Sequence, residues 1–118
     1  MRRKATRQSR GPNATEKAHI KWIKERGICV ACDSPGPVIA HHAEGSTCKT
    51  RVGLERVHIG HAFVLGLCSY CDALVTHGSR RAFREAYGPQ SGLWLKQYQD
   101  SPIEFEGIVV EAIRQWGK

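Results

Sequence analysis

Apolar residues near the C-terminus recur at helical spacing. Phe105, Ile108, Val109, Ala112, Ile113 and Trp116 fall at i, i+3, i+4, i+7, i+8 and i+11. The pattern predicts a core-facing helix, with Ser101 as its N-cap, Pro102 at the first helical position and Glu104 completing a capping box. Near the other end, Asn13 with Glu16 three residues on opens a helix over 14–26, and Gly27 closes it. Ile20, Trp22 and Ile23 supply its apolar side. Shorter helices are expected over 79–87, stopped by Gly88-Pro89, and over 91–99. Between the ends, Val38–His42 and His61–Leu67 read as strands, the second running into Cys68. A helix then begins near Ser69 and ends near His77-Gly78. Residues 43–60 carry glycines and charges and read as one long loop. The expected class is α+β, mostly helical, with a small two-stranded ββα element under a C-terminal helix.

At 118 residues the chain has room for one domain. Its 41% hydrophobic and 25% charged content are ordinary for a soluble protein. No apolar run approaches the roughly 18 residues of a membrane span. The basic N-terminus is followed by no apolar stretch, so neither a membrane partner nor a secretory signal is expected, and a cytoplasmic location is. The net charge of +7 is concentrated: residues 1–26 hold nine Lys and Arg against Glu16 and Glu25, which accounts for all of it. Residues 1–13 are expected to form a basic, disordered arm ahead of a single domain over 14–118. Such charge suits a polyanion, most simply DNA, although an acidic protein would also fit. Arg2, Arg3, Lys4, Arg7 and Arg10 of the arm, with Lys49, Arg51 and Arg56 of the loop, are the candidate phosphate contacts.

Five cysteines without an export signal argue against a disulfide framework. Their spacing argues for metal. Cys29-x-x-Cys32 and Cys68-x-x-Cys71 are two knuckles 35 residues apart, and four thiolates make a closed structural zinc site. The single C-x-x-C beside a βαβ pattern that would mark a redox dithiol is absent, and Cys48 is left as a spare thiol. His41-His42 lies between the knuckles. Neighbours on a strand point to opposite faces, so one imidazole could bind metal while the other packs. The order is then knuckle, strand with two histidines, loop, strand, knuckle and helix: a ββα arrangement held by zinc.

These pieces resemble the HNH, or ββα-metal, nucleases. More narrowly, residues 28–95 resemble the Ref-type recombination nucleases of bacteriophages and related small prophage proteins. The likeness is carried by Cys29-x-x-Cys32, Ile39-Ala-His-His-Ala-Glu-Gly45, His61-Ala-Phe-Val-Leu-Gly-Leu-Cys68 and Phe83-Arg-Glu-Ala-Tyr-Gly88. The resemblance implies a DNA endonuclease that uses Mg²⁺ or Mn²⁺, with a host recombinase filament as a further partner. It implies His42 as general base, His61 as a catalytic group that orients the base or binds metal, and His41 as a ligand of the catalytic ion. Asp72 and His77 are the further candidate ligands, Asp72 alternatively a helix N-terminal acid and His77 a phosphate contact or a helix-end cation. Two positions depart from the family. Asp72 stands where a histidine usually follows the last zinc ligand, and Phe63 stands where the HNH asparagine would fall. Two other functions compete: a zinc-stabilised nucleic-acid-binding module that does not cut, and a small zinc-knuckle adaptor. His19 and His58 are expected to be solvated.

Overall fold

The structure, a computed structural model, describes residues 11–116. The arm cations Arg2, Arg3, Lys4, Arg7 and Arg10 lie outside the described residues. Helix α1, Ala14–Arg26, has the expected ends. Asn13 accepts from the Glu16 amide at 2.8 Å, Glu16 accepts from the Asn13 amide at 2.8 Å, and Gly27 closes the helix in the left-handed region. The knuckle that follows is pinned at Val30, whose amide donates to the Gly66 carbonyl at 2.9 Å.

Strand β1 is Ile39–His42. The next two strands, β2 at Lys49–Val52 and β3 at Glu55–His58, replace the expected long loop with a hairpin. Its two-residue turn has Gly53 at φ 64°, and a positive φ at the first loop position is what a II′ turn needs. Strand β4 covers Val64–Leu67 and pairs antiparallel with β1, Ile39 opposite Leu67 and His42 opposite Val64. His61–Phe63, expected in this strand, lies in a turn before it, where the Ala62 and Phe63 amides bond back to the Ile59 carbonyl. The chain then runs into α2, Ser69–Ala73, which widens into a π-helical turn, Leu74–Gly78. Helices α3, Arg80–Tyr87, and α4, Gln90–Gln99, follow.

The last helix, α5, is Gly107–Arg114, so it starts well after the expected cap. Ser101 makes a local turn instead: its hydroxyl accepts from the Ile103 amide at 3.0 Å. The Phe105 amide donates to the Tyr98 hydroxyl at 2.9 Å, which holds 101–106 out of a helix. Ala112 and Ile113 of the apolar stripe are fully buried, and Phe105, Ile108, Val109 and Trp116 pack on the same core.

All four residues of β4 are buried. One edge pairs with β1; α4 clasps the other with side chains. Gln97 accepts from the Gly66 amide at 2.9 Å and donates to the Val64 carbonyl at 3.0 Å, while Trp94 Nε1 donates to the Ala62 carbonyl at 2.8 Å. A buried strand edge is thereby satisfied without a third strand. Gly66 also lets α1 approach, since a Cβ there would stand 2.6 Å from Ile23 Cγ2. No helix among the described residues is long and apolar enough to cross a membrane.

Candidate metal centre and histidine site

The first knuckle precedes β1. Its turn is tied by the Cys29 amide on the Ser34 carbonyl at 3.0 Å and the Asp33 amide on the Cys29 carbonyl at 2.8 Å. The second knuckle is the β4–α2 junction. Cys68 is the N-cap of α2, and its sulfur accepts from the Cys71 amide at 3.5 Å. Pairing β1 with β4 brings the two junctions together. The four sulfurs of Cys29, Cys32, Cys68 and Cys71 lie within 4.8 Å of one another, and Cys32 Sγ is 3.8 Å from Cys68 Sγ. Sulfurs on a tetrahedral zinc at about 2.3 Å stand about 3.8 Å apart, so the quartet fits that ion.

Cys29 and Cys71 are fully buried, and burial pushes both thiols up from their ordinary range. Cys32 is exposed; the Ser34 hydroxyl 3.0 Å away and the Ser34 amide bring its thiol down to about 6. Metal binding must therefore displace protons from buried sulfurs, and the ion's affinity depends on pH. Cys48 stays outside the quartet, half-buried just before β2.

His41 and His42 leave β1 toward different partners, as the strand alternation requires. His41 Nδ1 lies 3.2 Å from Asp72 Oδ1 on α2, and both side chains are largely buried. The Nε2 of His41 is buried without a hydrogen-bond partner. His42 Nε2 lies 3.3 Å from His61 Nδ1, with the rings edge to face at 5.4 Å. Burial, then the neighbouring His61 and His41, pushes the His42 pKa down. His42 is therefore a neutral imidazole at pH 7, able to accept a proton.

His77 sits exposed in the π-helical turn. Among the described residues, the four cysteines are the one group of three or more ligating side chains whose donor atoms converge, so His41, Asp72 and His77 are not gathered as a threesome. Lys49, Arg51 and Arg56 are all exposed on the β2–β3 hairpin.

His19 differs from expectation. It is fully buried, within 5.0 Å of Phe105 and 6.1 Å of Trp94 by ring centroids, and neither ring nitrogen has a well-formed hydrogen bond. Its place on α1, one turn before Ile23, was the available signal. His58 is exposed, as expected. Gln97 and its clasp on β4 had no signal in the local pattern. Compared with known proteins, the chain matches no family model, no curated protein and no solved structure.

Proposed function

We propose that the protein is a metal-dependent DNA endonuclease of the HNH type, built on a structural four-cysteine zinc site. The observation that carries this reading is the histidine pair on β1. His42 is held neutral and bonded to His61, on a strand whose flanking junctions form the cysteine quartet.

The tautomers follow from the roles. His42 donates its Nε2 proton to His61 Nδ1, which leaves His42 Nδ1 as the acceptor for the proton of an attacking water. His61 is then a positioning residue: it fixes the tautomer and ring orientation of the base. His41 Nδ1 and Asp72 Oδ1 are the atoms to hold the catalytic ion. Their 3.2 Å separation is close to the edge of about 3.0 Å between neighbouring ligands at 2.0–2.1 Å from an octahedral Mg²⁺. Two protein ligands suffice for an ion that keeps waters and phosphate oxygens. When bound, Mg²⁺ or Mn²⁺ supplies charge that polarises the scissile phosphate and stabilises the leaving oxygen. An aspartate in this position suits such a hard cation at least as well as an imidazole does.

The competing reading, a DNA-binding zinc module that does not cut, draws on the position of His77, exposed and apart from His41 and Asp72. Nicking of supercoiled DNA with Mg²⁺ or Mn²⁺, with and without a recombinase filament, separates the two. Wild type is expected to nick and His42→Ala to fail, with zinc content and circular dichroism unchanged. Zinc-loaded, folded wild type that nicks nothing under any of these conditions overturns the nuclease reading, and DNA affinity that falls steeply with salt then selects the binding module.

A further inference from the structure

The β2–β3 hairpin carries its charges on one side. In the antiparallel register Lys49 faces His58 and Arg51 faces Arg56, so these four side chains share one face, and all four residues are exposed. The other face holds Val52 and the buried Val57, and packs on α5. Glu55 is on that opposite face, across from Val52. Two arginines directly opposite one another destabilise a strand pair, so folding alone does not favour this arrangement. At the tip, Leu54 is 97% exposed. Arg51 turns toward it, its guanidinium donating to the Leu54 carbonyl at 3.3 Å. The base of the ribbon is fixed by the Ile59 and Gly60 amides, which donate to the Cys48 carbonyl at 3.0 and 3.1 Å. Nearer the tip, Gln115 Nε2 donates to the Arg51 carbonyl at 2.8 Å.

A single exposed leucine means little by itself. An apolar tip on a rigid, two-stranded basic ribbon has a specific use on DNA. A ribbon of this width enters a groove, cations along it meet phosphates, and an apolar wedge at its end unstacks a base step. We infer that the β2–β3 ribbon is a duplex-DNA arm, in which Lys49, Arg51 and Arg56 grip the backbone and Leu54 wedges between base pairs and bends the duplex. The inference rests on the proposed DNA substrate and adds its form: double-stranded, deformed where it is bound. The hairpin lies within the segment that joins β1 to β4, with residues 43–48 between His42 and the arm.

The test uses the full chain and a duplex with 2-aminopurine at each step in turn, without added Mg²⁺ or Mn²⁺. Wild type is expected to raise the 2-aminopurine fluorescence at one or two adjacent steps and to shorten the end-to-end distance by energy transfer. Leu54→Ser is expected to abolish the fluorescence rise while weakening binding less than tenfold. The variant Lys49→Ala/Arg51→Ala/Arg56→Ala is expected to bind at least tenfold more weakly. Its log–log salt slope should fall by about two to three, one phosphate contact per cation lost. Any of four results overturns the inference: no unstacking by wild type, unstacking unchanged in Leu54→Ser, a wild-type salt slope in the triple variant, or tighter binding to single-stranded DNA than to duplex. Because no cleavage is read, a protein that unstacks DNA but never nicks it keeps this inference and loses only the nuclease reading.

Discussion

The described residues form two antiparallel strand pairs of the same size, four residues per strand, and these two hairpins are stabilised in different ways. In β1–β4, β4 is buried along its whole length, clasped on its free edge by Gln97 and Trp94, with the cysteine junctions at the β1 entrance and the β4 exit. In β2–β3, side chains alternate: Val52 and Val57 face α5, and the cations face out. An isolated two-stranded sheet is marginal in water. The first hairpin offsets this with burial and a cysteine quartet that fits a metal, the second with one apolar face and a tight turn. The difference suits them to different tasks. A hairpin whose inner strand is wholly buried can hold His41 and His42 on its outer strand to a fixed geometry, while one that leaves a face and a tip free is suited to touching a partner.

The largest expected effect breaks the first hairpin by removing its metal. Structural zinc contributes on the order of 10–16 kcal/mol in small zinc domains. A domain's net stability is about 5–15 kcal/mol. Cys71→Ser, or chelation verified by metal analysis, should therefore unfold the β1–β4 region, read as loss of amide-exchange protection over 39–42 and 64–67. Unchanged protection after proven zinc removal would contradict the metal's structural role.

Next in size is the acid response of the core beneath β1–β4. Burial holds the His19 pKa at about 4, with the Val64 carbonyl opposing only in part. The unfolded chain, near 6.5, binds the proton that the native state refuses. Stability due to this group is therefore complete above pH 6.5 and lost as pH falls from 6.5 through 4, by about 3 kcal/mol. Urea melts of wild type and His19→Leu at pH 7 and pH 4.5 test this. The gap between them should shift in the variant's favour at the lower pH, because zinc release affects both alike.

Comparable or smaller is the clasp. Gln97→Leu keeps the volume but strands the Gly66 amide and Val64 carbonyl, and should cost about 2–3 kcal/mol by denaturant melts. The smallest effect is on the ribbon. Leu54→Ser and Lys49→Ala lie on its exposed side and should change stability by no more than about 0.5 kcal/mol. A cost of several kcal/mol at Leu54 would mean the ribbon tip is packed rather than presented.

What could be read in advance was what is local. The Asn13–Glu16 box and Gly27 act within a few residues, and the four cysteines carry their own spacing, so α1 and the quartet were legible. The His41-His42 strand was too, because β1 pairs with the apolar run ending at Cys68. The hairpin inside 43–60 was not. Its turn is Gly-Leu rather than Asn-Gly, and Val52 and Val57 are the apolar residues its alternation shows. The start of α5 was misplaced because the Tyr98 hydroxyl, seven residues back, takes the Phe105 amide that a helix would have used. His19 shares a helix face with Ile23, four residues on, which the periodicity of α1 shows; that Trp94 and Phe105 close over it from distant segments, the periodicity does not show. The roles proposed for the histidines draw on two contacts between distant segments, His41–Asp72 and His42–His61.

The division between a chemical hairpin and a gripping hairpin is tested most directly by single-turnover cleavage of duplex DNA with Mg²⁺ or Mn²⁺ over a range of protein concentrations. Wild type, His42→Ala and the Lys49/Arg51/Arg56 alanine variant are compared. His42→Ala should bind as wild type does and cut at least 10²-fold more slowly even at saturation. The ribbon variant should need more protein but reach the wild-type rate once saturated. Equal saturated rates for wild type and His42→Ala, or no cutting by zinc-loaded wild type, would contradict the account.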